Sequence, residues 1–380
     1  MKRASKIITM KRTVFSEHQV TNLSNSFGHL KLLKRVTYLF IASLLLASCS
    51  SDDDNNVVEP LGDYENGILI TNEGPFGTGS GTVSFISDDY TINDDKIFND
   101  VNGTDLGNIV QSMGFSEDNA YVIANNSHKI EVVNRYTFET ITTIEGLNNP
   151  RYFVAIGTNG YVTNWGDPFD ETDDFVAVID LANNTITSKL SVSFGPEKIM
   201  ESRGNIYVAH KGGFSQNNIV TVINAESNTV VSTIEVGDVP NSMVTSEGDL
   251  WVLCEGNPNW AISESNGRLV KIDVDTNEVV QAFDFELIEH PINLTIDGTN
   301  LIYGLDGAVF SKDTASTSLP TSSIINGFFY SLTANNGMLY TTDAGDFASN
   351  GTLKVYDLVS NAEVQSMEVG IIPGGVYFND

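Results

Sequence analysis

The chain has 380 residues, 41% hydrophobic and 18% charged, with 20 Lys and Arg against 49 Asp and Glu, a formal net charge of −29. Acids in this excess repel nucleic acid and anionic lipid head groups, which argues against a DNA, RNA or phosphate-rich partner. There are two cysteines, Cys49 and Cys254, so no intrachain disulfide is expected and the apolar core must hold the fold.

Residues 1–48 carry eight of the basic residues and one acid, Glu17. Lys31, Lys34 and Arg35 precede the apolar run 36–46, which is short for a membrane span and has the length of a signal-peptide core. The run ends in Leu46-Ala47-Ser48-Cys49. This resembles the bacterial lipobox, which implies a signal peptide over 1–48 and a lipidated Cys49. Ser50-Ser51-Asp52-Asp53-Asp54 follows, so 49–65 reads as a solvated acidic tether. It also resembles the export tag of surface lipoproteins in the Bacteroides group. That resemblance implies an outer-membrane protein facing the cell exterior, attached to the membrane only through its lipid. Removing residues 1–48 leaves 12 basic residues against 48 acids, a net charge of −36.

From residue 66 onward one phrase recurs. Its clearest copy is Tyr161-Val162-Thr163-Asn164, a polar loop, Phe175-Val176-Ala177-Val178-Ile179-Asp180, a turn at Asn183-Asn184, and Ile186-Thr187-Ser188-Lys189-Leu190. Apolar residues alternate with small or polar ones, the period of a strand. Seven copies start near Ile68, Tyr121, Tyr161, Tyr207, Trp251, Leu301 and Met338. The anchor aromatics Tyr121, Tyr161, Tyr207, Trp251, Tyr303 and Tyr340 are 40, 46, 44, 52 and 37 residues apart. A short loop, usually with proline, and a further strand lead into the next copy. Seven units of four strands predict an all-β chain: a seven-bladed β-propeller of antiparallel blades over 66–380. The first unit lacks the strand that leads into the others, and one extra strand, Gly374-Gly375-Val376-Tyr377-Phe378, ends the chain. The C-terminal strand is therefore expected to complete the first blade and close the ring.

No phosphate-cradling glycine loop, Cys-x-x-Cys pair, His-Glu-x-x-His or Gly-x-Ser-x-Gly occurs. The acidic run 167–174 lacks the spacing and glycine of a calcium loop and reads as solvated. Neither a catalytic set nor a metal site is expected.

In a propeller, the loops between the second and third strands share one face with the loops between blades. On that face fall the aromatics Phe76, Trp165, Phe169, Phe214, Trp260 and Phe347, with Asn126 and the inter-blade residues Arg151, Tyr152, Asn241, Asn293 and Phe328. His128, His210 and His290 are placed there too, and His210 joins the candidate set. Aromatics among amides and glycines suit a large, partly polar ligand.

The repeat strands and Gly-x-x-Pro loops look like those of the YncE-like seven-bladed propellers. Thr71-Asn72-Glu73-Gly74-Pro75-Phe76-Gly77, Asn102-Gly103-Thr104-Asp105-Leu106-Gly107 and Asn149-Pro150-Arg151-Tyr152 are similar to the BtuG-type surface lipoproteins. That resemblance implies a non-enzymatic protein that captures cobalamin, or a related corrinoid, and passes it to a TonB-dependent outer-membrane transporter. Cobalamin is then cargo, not a cofactor. The residues alone support a large amphiphilic molecule or glycan. A surface propeller binding glycan or protein, or a propeller lyase using His210 and His290 with Glu255 or Glu289, remain the alternatives. The unit at 301–313, with its short Gly304-Leu305-Asp306-Gly307 loop, departs from the repeat.

Overall fold

A computed structural model describes residues 60–380 except Leu287. The signal-peptide reading, the lipidation of Cys49 and most of the acidic tether fall outside the described residues. Twenty-eight strands form seven four-stranded antiparallel sheets, one per repeat. The third blade shows the plan, with strands Pro150–Ile156, Asn159–Asn164, Phe175–Asp180 and Thr185–Ser191 from the axis outward. The two middle strands are buried along nearly their whole length, because both of their faces meet a neighbouring blade. The outer strand is mostly exposed and alternates.

The core is a ring. Seven apolar clusters each join two adjacent blades, from Leu69 and Phe85 against Val122 in the first interface to Val355 against Ile68 and Val376 in the last. Burying one sheet face on the next, seven times over, leaves no apolar sheet face open to water. The ring closes where the sequence places the closure. The C-terminal strand Pro373–Phe378 pairs antiparallel with Gly67–Asn72, Ile70 lying opposite Val376, as the innermost strand of the first blade.

Three of the anchor tyrosines tie blade to blade. Tyr121, Tyr161 and Tyr207 donate their hydroxyls to Asn184, Asn228 and Asn277, at 2.8, 2.6 and 2.9 Å. Each asparagine stands in the outer turn of the next blade at a φ between 51 and 57°, a left-handed conformation that asparagine tolerates. Two blades have outer strands of only two residues, Asn93–Asp94 and Ile325–Asn326. Beside the first lies a short helix, Ile97–Asn102, that buries Ile97 and Phe98 and that strand periodicity did not disclose. The packed unit starts at Pro60. Tyr64, read as part of the tether, sits edge-on to Phe85 and Phe138, at 5.3 and 6.0 Å between ring centroids.

Candidate functional site

The innermost strands open with a shared irregularity. Ile109, Asn149, Gly195, Val239 and Ile372 all hold φ between 48 and 64°, directly before Val110, Pro150, Pro196, Pro240 and Pro373. A β-branched residue in this region is strained, and the following proline narrows its options further. In six of the seven blades the innermost strand then carries one residue more than its partner. Such a bulge re-aims the side chains it contains. Gln111, Arg151-Tyr152, Glu197-Lys198, Asn241, Asn293-Leu294 and Gly374 occupy the irregular positions, and all of them line one cavity on the axis.

That cavity has a volume of about 1090 Å³. Phe76, Asn126, Trp165, Phe214, Phe328 and Tyr330 line it from the loops, and Tyr377 from the C-terminal strand. Phe76 and Phe214 are 82% and 63% exposed, so their rings are free to meet a ligand. Trp165 stands edge-on to Phe214 at 5.9 Å, and Phe169 packs on the other side of Phe214 at 5.4 Å.

The channel holds a charge cluster. Arg151 donates Nε and Nη2 to the two carboxylate oxygens of Glu197, at 2.9 and 2.8 Å. The guanidinium lies 4.0 Å from the centroid of Trp165. Burial opposes both charges, but the fork-on-fork pairing overrides it and holds Glu197 below the ordinary carboxylate range. Glu73 moves the other way: burial raises its pKa, against the Tyr330 hydroxyl, which donates to it at 2.9 Å, and against Arg151. Lys198 places Nζ 3.9 Å from the ring centroid of Tyr152, its pKa lowered by removal from bulk water although its side chain keeps surface toward the channel. Lys211 and Glu255 face each other at 3.9 Å.

The structure thus gathers Phe76, Asn126, Arg151, Trp165, Phe214 and Asn241 around one cavity. Some of their polar groups are already engaged: Asn241 donates to Pro291 O at 2.9 Å and Asn126 to Asn108 Oδ1 at 2.7 Å. Phe169 lines a separate cleft of about 230 Å³ with Asp174 and Gly213. Asp174 in that cleft is raised to about 7, chiefly by burial. Trp260 is 72% exposed and stands off the cavity lining, and Phe347 meets the cavity only through its edge contact with Tyr330 at 5.9 Å.

His210 corrects the sequence reading. It is buried beneath the loop face, its Nε2 against the Thr221 hydroxyl at 2.8 Å and its Nδ1 against Phe194 O at 3.2 Å, and burial lowers its pKa to about 4. His128 lines the cavity, where Nδ1 accepts the Asn149 amide at 3.0 Å. His290 reaches Glu264 at 3.3 Å and the carbonyl, not the carboxylate, of Glu255. Among the described residues, no three His, Cys, Asp or Glu side chains converge to hold a metal ion. Gln111, Glu197, Lys198, Tyr330 and Tyr377 escaped the sequence reading. For Glu197 and Lys198 the available signal was their place: like Arg151, Tyr152 and Asn241, they fall one or two residues after an inter-blade proline.

The family model described as a domain of unknown function (DUF5074) matches residues 66–327. The chain belongs to this family. No curated protein matches the sequence. Solved structures show what a DUF5074 chain of this kind is similar to. A hypothetical selenium-binding protein from Sulfolobus tokodaii aligns at TM-score 0.61 and 9% identity, over 83% of this chain and 93% of that one. The periplasmic gluconolactonase of Pseudomonas aeruginosa aligns at 0.58 and 14%, over 83% and 99%. Apo AztD from Citrobacter koseri aligns at 0.52 and 11%, over 83% and 98%. At these identities the likeness is one of fold, and propellers host many unrelated roles. No helix among the described residues is long and apolar enough to cross a membrane.

Proposed function

We propose that this protein is a surface lipoprotein that captures cobalamin, or a related corrinoid, at the mouth of the propeller channel and hands it to a TonB-dependent outer-membrane transporter, without chemistry of its own. The observation that carries the reading is the axial cavity. Its volume of about 1090 Å³ lies just above the roughly 300–1,000 Å³ that serves drug-sized ligands. Phe76 and Phe214 offer exposed rings to a flat macrocycle, with Trp165 packed behind Phe214, while Asn126, Asn149 and Asn293 line the same cavity, their amide nitrogens bonded to Asn108, Gly166 and Tyr330 and their side-chain oxygens left to accept from the ligand's amide rim. The sunken mouth favours a small molecule over a protein or glycan laid on a flat face. A rigid closed ring also leaves little to be ordered on binding. The corrinoid itself comes from the resemblance to the BtuG-type lipoproteins, as do the transporter and the outer-membrane location. Lipidation at Cys49 follows the lipobox.

Isothermal titration with cyanocobalamin tests the reading. One-to-one binding is expected, weakened about tenfold or more in Phe214→Ala, whose ring is exposed and removable without loss of fold. Absence of heat at micromolar protein would remove the corrinoid from the account.

A further inference from the structure

The channel charges are unevenly satisfied. Arg151 and Glu197 occupy each other, both carboxylate oxygens of Glu197 being taken. Glu73 accepts the Tyr330 hydroxyl, and Lys211 has Glu255 within 3.9 Å. Lys198 is the exception. Among the described residues its ammonium has neither a hydrogen-bond acceptor nor an ion-pair partner, and its neighbour is the face of Tyr152 at 3.9 Å. The strand bulge at Glu197-Lys198 sends one side chain to Arg151 and the other into the channel. This cation stands unpaired in a chain whose residues 49–380 hold 48 acids against 12 bases.

We propose that Lys198, with Tyr152 and Gln111, forms an oxyanion-binding subsite in the channel, taking a phosphate ester or a carboxylate carried by the ligand. The donors are in place. Gln111 Nε2 donates to Tyr152 Oη at 3.4 Å, which leaves the Tyr152 proton and the second amide hydrogen of Gln111 unused. Lys198 adds three ammonium hydrogens. All three side chains line the axial cavity. An ammonium withdrawn from bulk water attracts an anion more strongly than one on an open surface, and the aromatic face beneath it is a weaker partner than a charge. The neighbouring carboxylate of Glu197 also attracts Lys198, but its charge is offset by the two hydrogen bonds from Arg151, which leaves the ammonium without a direct partner. The inference deepens the corrinoid reading and rests on it for the route by which a ligand enters. Cobalamin carries a single phosphodiester, which dicyanocobinamide lacks.

The test is calorimetric titration of the protein with inorganic phosphate and, separately, acetate, in the parent chain, Lys198→Met, Gln111→Leu and the exposed control Lys96→Met, with thermal melts confirming that each variant folds. Millimolar binding of one anion is expected, weakened about tenfold or more by Lys198→Met, weakened less by Gln111→Leu and unchanged by Lys96→Met. Tighter phosphate points to an ester, tighter acetate to a carboxylate. Binding of neither anion, or equal binding by Lys198→Met, overturns the subsite. Cyanocobalamin separates the two proposals. Phosphate binding without cobalamin binding sinks the capture reading and leaves the subsite; cobalamin binding that Lys198→Met leaves intact sinks the subsite and leaves capture.

Discussion

Arg135 and Asn379, 244 residues apart in the chain, meet where the ring closes: Arg135 Nε donates to Asn379 Oδ1 at 2.6 Å. The Asn379 amide returns bonds to Arg135 O at 2.8 Å and Tyr64 O at 2.6 Å, and its backbone bonds to Gly67 and Asn66. One buried side chain therefore ties together the C-terminus, the second blade and the segment that enters the first. Asn379→Ala strips three hydrogen bonds and leaves buried groups unpaired, a cost of about 2–4 kcal/mol. Urea denaturation should show a midpoint lowered accordingly. A loss below half a kcal/mol would mean that strand pairing alone holds the closure.

The tyrosine-to-asparagine ties predict three equivalent losses. Tyr161→Phe keeps the packed ring and removes only the hydroxyl, shared between Asn228 at 2.6 Å and the Ala225 carbonyl at 3.1 Å, which should cost about 1 kcal/mol. Tyr121→Phe and Tyr207→Phe should cost the same, measured by chemical denaturation. The blade after Trp251 breaks the pattern: its outer turn offers no such bond, and Trp251 Nε1 lies buried without a partner. Trp251→Phe should therefore show a loss from volume and from the weaker ring left beneath Lys271 and Lys312, with no hydrogen bond lost.

Arg151 and Glu197 form a buried pair, so removing one partner is worse than removing both. Arg151→Met alone leaves a buried carboxylate and should cost about 3–5 kcal/mol. Arg151→Met combined with Glu197→Gln should recover much of that loss. A double-mutant cycle on thermal stability checks the sign of the coupling. Additive losses would show that the charges are solvated through the channel.

His210 makes stability depend on pH. Its pKa is about 4 folded against about 6.5 unfolded, so between these values the unfolded chain holds the extra proton. Its contribution, up to roughly 3 kcal/mol, is complete above about pH 6.5 and is lost as pH falls through 4. Asp174, raised to about 7, acts in the opposite sense: its contribution is present when the carboxyl is protonated and is lost as pH rises through 7. The His210 part must be read as the difference between the parent and His210→Gln, measured by urea denaturation from pH 4 to 8. A pH-independent difference would contradict the buried neutral imidazole.

The repeat phrase by itself determined the number of blades, the strands within them and the closing role of residues 374–378. These follow from local alternation of apolar and polar residues, and alternation is written residue by residue. It also placed Phe76, Trp165 and Phe214 on the loop face, because loop position follows from strand order. Tertiary structure decided the floor of the site. Strand alternation has a period of two, and a bulge of one residue shifts every side chain within it to a new direction. Glu197 and Lys198 read as ordinary members of a short strand, yet the bulge sends one to Arg151 and the other into the channel. The same dependence on direction buried His210 against Thr221 although it ends a strand on the loop side. Which charges face the axis is set by how seven blades wrap around it, and that arrangement exists only once the ring has closed.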